Sequence, residues 1–116
     1  MKEFMLIFLG ADYSSLDLSP EEAQQQMGKW FDWVGKLQAR DIYSGGHALI
    51  PMAKRLSGND ATVTDGPFAE SKELVGGYFV VKAKDWDEAV TISKDYPDFH
   101  LGGAVEVREI MVFDNE

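Results

Sequence analysis

The chain is 116 residues long, 45% apolar and 27% charged, enough to enclose one hydrophobic core without disulfides. It has no cysteine, which excludes disulfides, thiolate nucleophiles, iron–sulfur clusters and cysteine zinc sites, and its two histidines, His47 and His100, lack metal-ligand spacing. Eleven basic against twenty acidic residues leave a net charge of −9, with no basic stripe of the kind that binds nucleic acid or an anionic membrane.

The first predicted element is a strand over Phe4 to Leu9, FMLIFL, apolar at both side-chain parities and therefore expected to be covered on both faces. The run is too short for a signal-peptide core or a membrane span, so a soluble cytoplasmic protein is expected. Ala11 to Asp17 reads as a polar loop. Ser19, Pro20 and Glu22 then mark a helix start: serine as cap, proline at the first helical position, glutamate completing a capping box. Met27, Trp30, Phe31, Val34 and Leu37 recur at helical spacing down to about Arg40, a face expected to pack on a sheet, with Trp33 partly off it.

Ile42 to Ile50 reads as a strand interrupted by Gly45 and Gly46. Lys54 to Leu56, the turn at 57–60 and Ala61 to Thr64 read as a hairpin arm. Leu74 to Ala83 is the next strand. Asp85 caps a second helix, with Glu88 three residues on, and Pro97 requires that helix to end before it. Ala104 to Phe113 is the last strand. This β-α-β-(hairpin)-β-α-β order describes an α+β, ferredoxin-like sandwich filling one domain over residues 1–116, with both helices on one face of an antiparallel sheet. Two helices cover one face only, while Phe4 to Leu9 and Tyr78 to Val81 are apolar on both. Pairing with a second copy, sheet against sheet, supplies the missing cover; a monomer covered by the hairpin arm and C-terminus is the alternative.

Asp65 to Glu73, DGPFAESKE, is unlike ordinary secondary structure. Asp65 can close an Asx-type turn, Gly66 can take conformations barred to other residues, and Pro67 has a fixed φ and no N–H. Phe68, a large ring in a polar loop, is expected to fold back as an anchor.

The stretch resembles the signature of the DGPF proteins, a branch of the YCII-related family. The resemblance extends to Met1-Lys2 followed by FMLIF, LSPEE at Leu18 to Glu22, the Gly45-Gly46 pair, LVGGYFVV at Leu74 to Val81 and GGAVEVREI at Gly102 to Ile110. It implies a dimeric α/β barrel. Relatives of that fold include small cofactor-free enzymes acting on aromatic or lactone-type substrates, and bacterial DGPF proteins are often encoded beside alternative sigma factors. The YCII branch carries an Asp just after the first strand and a His on the first helix. Here the histidine position falls near Lys29, the first helix has no histidine, and Asp12 is the only acid near the end of strand one.

With that dyad missing, His47 is the candidate catalytic group. It follows two glycines where backbone can approach a ligand, and imidazole suits acid–base work near neutral pH. Asp65 is the candidate orienter, provided the two segments meet; otherwise His47 is a strand residue and Asp65 a turn builder. Ser44 and Arg55, with Ser71 and Lys72, are candidates for binding an anionic ligand, and Gly46 is a candidate for close backbone approach to a ligand. Trp30, Phe68, Tyr78 and Phe79 are candidate walls of an apolar pocket or else core residues. His100 is the weaker histidine, with Asp98 the one acid near it. Neither metal nor cofactor is expected. Two functions fit: a cofactor-independent isomerase, lyase or hydrolase using His47 and Asp65 in a cleft at the dimer sheet, or a non-catalytic module binding a small molecule or protein in regulation linked to sigma factors.

Overall fold

Strand β1 (Lys2–Leu9) lies at the centre of the sheet because its sequence is apolar at every position from Phe4 onward. Phe4 and Leu6 are fully buried and Phe8 nearly so, while Met5, Ile7 and Leu9, of opposite parity, are half-buried. β1 pairs antiparallel with β5 (Val75–Ala83) along one edge and with β6 (Ala104–Glu109) along the other. β2 (Tyr43–Ala48) adds antiparallel to the free edge of β5, giving the order β2-β5-β1-β6. This is the ferredoxin-like topology, with the two most apolar strands inside and polar-alternating strands at both edges. The computed structural model describes residues 1–10, 13, 16–66 and 74–114.

Helix α1 (Pro20–Ala39) begins where the capping signals predict. Ser19 Oγ accepts from Glu22 N at 3.1 Å and Glu22 Oε1 accepts from Ser19 N at 2.9 Å, so two otherwise unpaired N–H groups are satisfied. Those bonds hold the Glu22 carboxyl below its usual pKa. The buried face is rotated from the expected stripe. Gln26, Trp33 and Leu37 are buried, Trp30 and Val34 half-buried, and Met27 and Phe31 stand exposed. Trp33, expected off the stripe, is a centre of the core and packs against Phe8, Trp30, Phe79 and Tyr96. Its indole N–H is buried and unpaired among the described residues, a cost of about 1–3 kcal/mol offset by ring burial.

Helix α2 (Trp86–Ser93) is capped by Asp85, whose Oδ1 accepts from Glu88 N at 2.9 Å; Glu88 Oε1 accepts from Lys84 N rather than from the cap residue. Both helices cover the sheet face that carries Phe4, Leu6, Phe8, Phe79, Val81 and Ala83. Each of these side chains except that of Ala83 contributes about 1.5–3 kcal/mol by leaving water.

The hairpin arm is a separate two-stranded sheet, β3 (Lys54–Ser57) with β4 (Thr62–Asp65), and all its residues are exposed. Two expected strands are shorter than predicted. β2 stops at Ala48: Leu49 N still donates to Gly76 O, but Pro51 follows and has no N–H to continue the ladder. β6 stops at Glu109, and Met111, Val112 and Phe113 beyond it are exposed.

Candidate functional site

Between α1 and the ends of β1, β2 and β5 lies an open cavity of about 540 Å³. Phe8, Trp30, Phe31, Val34, Phe79 and Tyr96 are among its walls. The Met27, Phe31 and Val34 side of α1 is incompletely buried because this face of the helix borders the cavity instead of the sheet. Phe8 and Trp30 meet edge to face at 5.0 Å, and Phe8 stacks on Tyr96 at 5.3 Å, so the wall is a rigid ring cluster.

Among the described residues, one carboxylate is built into this wall. Asp98, 4% exposed, follows Pro97 in the segment between α2 and β6. Three donors converge on its Oδ1: Tyr13 Oη at 2.8 Å, Gln26 Nε2 at 2.7 Å and Trp30 Nε1 at 3.3 Å. Gln26 Nε2 also lies 2.7 Å from the Pro97 carbonyl oxygen, so one amide holds both the backbone and the side chain of this corner. All three donors are neutral, and no lysine or arginine pairs with Asp98 among the described residues. Burial raises the Tyr13 and Tyr96 phenols above the ordinary tyrosine pKa, and the neighbouring Asp98 carboxylate raises both further. Tyr13 therefore stays protonated and donates to Asp98 throughout the physiological range.

The residues named from the sequence divide between this cavity and other places. Trp30 lines it and reaches Asp98. His47 borders it, yet register and side-chain alternation put the His47 ring opposite Tyr78 on the sheet face away from the helices. There His47 Nδ1 lies 2.8 Å from Tyr78 Oη, with the tautomer deciding which atom donates. Asp65 does not meet His47. It forms an exposed ion pair with Lys54 at 2.7 Å within the hairpin arm, because Lys54 and Asp65 are register partners across β3 and β4.

Gly46 is required by the sheet: a Cβ there would overlap the Tyr78 carbonyl oxygen and come within 2.6 Å of the Phe79 ring. Ser44 is exposed at the irregularity between Tyr43 and Gly45, where Gly45 takes a φ of +136°. Arg55 is exposed on β3. Phe68, Ser71, Lys72 and Asp12 lie outside the described residues. No group of three or more His, Asp or Glu side chains among the described residues is placed to hold a metal ion.

Sequence reasoning missed Asp98, Tyr13 and Gln26 as site residues. A signal existed at Gln26. With Trp30, Trp33 and Leu37 it follows helical spacing, so a polar residue sits at the head of the true buried face and needs a buried partner. No comparable local pattern marks Tyr13 or Asp98.

The fold and cavity define a small α+β sandwich protein with an aromatic-walled pocket between helix and sheet. The chain belongs to the YCII-related domain family, whose profile matches residues 4–114. An uncharacterised protein of Rhizobium meliloti is 33% identical over 60 residues, a match covering 51% of this chain and 48% of that protein, so the match spans about half the length of that relative. Among solved structures, the chain is similar to a 5-chloro-2-hydroxyhydroquinone dehydrochlorinase from Burkholderia phenoliruptrix in complex with 2,5-dihydroxybenzoquinone. That similarity has 15% identity and a TM-score of 0.48, and covers 94% of this chain and 93% of the other.

Proposed function

We propose that this protein binds a small, largely apolar molecule in the cavity between α1 and the sheet, and that Asp98 exchanges a proton with it without a cofactor. The observation that carries this reading is the setting of Asp98: a buried carboxylate in the wall of an aromatic cavity, aimed by Tyr13, Gln26 and Trp30. A base held this way is oriented before its substrate arrives, and the dry surroundings strengthen its interaction with whatever proton it meets. Assignment to Asp98 replaces the His47–Asp65 pair, whose members are bonded to Tyr78 and Lys54. His47 with Tyr78 remains a candidate proton carrier on the other sheet face.

That face also supports a homodimer. Met5, Ile7 and Leu9 of β1 and Val80 of β5 form an apolar surface away from the helices, which a second copy would cover. A second function, a non-catalytic ligand-binding module in regulation linked to sigma factors, is favoured by one feature: α1 carries no histidine, so the dyad implied by the family resemblance is missing.

A thermal-shift screen of a metabolite library against wild type, Asp98→Asn and Asp65→Asn tests the assignment. A ligand at about a hundred times its dissociation constant adds about 2.7 kcal/mol of stability. Hits that weaken in Asp98→Asn and persist in Asp65→Asn support the reading. Hits indifferent to Asp98→Asn overturn it, and hits that bind without being converted select the regulatory module.

A further inference from the structure

We infer that the cavity selects ligands with an apolar body and one cationic amine, and rejects organic anions. The inference rests on the reading of the cavity as a small-molecule site and adds the charge of what enters it. Of the described residues that line the cavity, Asp98 is the one acid, and none is a lysine or arginine. A buried carboxylate usually has a cationic partner or a shell of donors that compensates its lost hydration. Asp98 has neutral donors on Oδ1. These orient the group but leave its net charge in the cavity wall.

A ligand ammonium group would meet Oδ2, the oxygen that Tyr13, Gln26 and Trp30 do not use. It would replace part of its own lost hydration by a charge-assisted hydrogen bond. The aromatic wall acts in the same direction. Phe8, Trp30 and Tyr96 line the cavity together with Asp98, and a cation is attracted to whatever ring face it reaches when water is excluded. A carboxylate or phosphate would instead meet repulsion from the Asp98 carboxylate. The net charge of −9 adds a weaker, salt-screened bias of the same sign. The sequence-based expectation of an anionic ligand gathered by Ser44 and Arg55 is thereby reversed for this cavity: neither residue lines it.

Three probes of nearly one shape separate charge from body: tryptamine, tryptophol and indole-3-acetate, with a cationic, a neutral and an anionic end at neutral pH. Titration calorimetry on the full chain should show tryptamine binding about tenfold more tightly than tryptophol, with indole-3-acetate weakest. In Asp98→Asn the amine and the alcohol should converge to within about twofold, tryptophol being little changed. Intermolecular NOEs in the wild-type protein, which need no variant, should place the aminomethylene protons beside the Tyr13 and Trp30 rings. Equal binding of amine and alcohol, preference for the acid, an amine preference that survives Asp98→Asn, or NOEs to residues remote from Tyr13 and Trp30 would each overturn the inference. Tryptophol binding at the cavity without an amine preference sinks the charge rule and leaves the small-molecule site standing; no binding by any probe sinks both.

Discussion

Tyr13 Oη donates to Asp98 Oδ1 at 2.8 Å across a sequence separation of 85 residues, joining the loop after β1 to the segment before β6. Between them Gln26 and Trp30 of α1 bond the same oxygen, so one carboxylate ties helix and both segments around the cavity. The group is a structural clamp and a chemical group at once.

Replacing Tyr13 by Phe removes one donor to a buried charge and leaves the ring in place. The expected loss is about 1.5–3 kcal/mol, the range for a hydrogen bond to an ionised group. Chemical denaturation with an unchanged slope would report it as pure stability, and a change below about 0.5 kcal/mol would mean that Gln26 and Trp30 suffice.

Alkaline pH should destabilise the fold through the same corner. Burial, with Asp98 nearby, raises the Tyr13 and Tyr96 phenols above their unfolded value. A group whose folded pKa is raised contributes stability that is complete below its unfolded pKa, here about 10, and is lost as pH rises beyond it. Melting temperature should therefore fall steeply above about pH 10, and Tyr96→Phe should flatten that slope. An identical alkaline slope in the variant would refute the assignment to Tyr96.

Two glycines should respond in opposite directions to alanine. Gly46→Ala sets a methyl group against the Tyr78 carbonyl oxygen and the Phe79 ring, forcing β2 from β5 at a cost of about 1–3 kcal/mol. Gly28 lies within α1 with nothing within 4 Å of a Cβ, so Gly28→Ala should stabilise by roughly 0.5–1 kcal/mol. Thermal unfolding of both variants checks the pair.

The proposed sheet-to-sheet dimer places Ile7 in an apolar interface. Ile7→Asp should convert a dimer to a monomer in sedimentation equilibrium, since an unpaired charge there would lose its hydration. A monomeric wild type would remove the dimer from the account, and an Ile7→Asp dimer would move it to another surface.

Much of the fold was legible because its signals are local. The capping box at Ser19 and Glu22, the Asp85 cap, the glycine turn of the arm and the doubly apolar β1 each lie within a few residues of the structure they specify. The orientation of α1 was not legible. Met27 and Phe31 are as apolar as Trp33, and the choice of which of them faces the sheet depends on the cavity that opens beside the helix. Trp30, named from the sequence as a candidate wall, lies along the cavity. The partners of His47 and Asp65 were not legible: His47 lies against Tyr78 across the β2–β5 register, and Asp65 against Lys54 across the arm.

By itself the amino-acid sequence determined the element order, the helix starts, the antiparallel sandwich and the family, since periodicity, caps and turn residues act over short distances. Only the tertiary structure decided which polar groups meet at the cavity wall. Tyr13, Gln26, Trp30 and Asp98 share no motif, and their meeting follows from the path of the chain over the sheet. That path brings three neutral donors to one carboxylate in an aromatic wall.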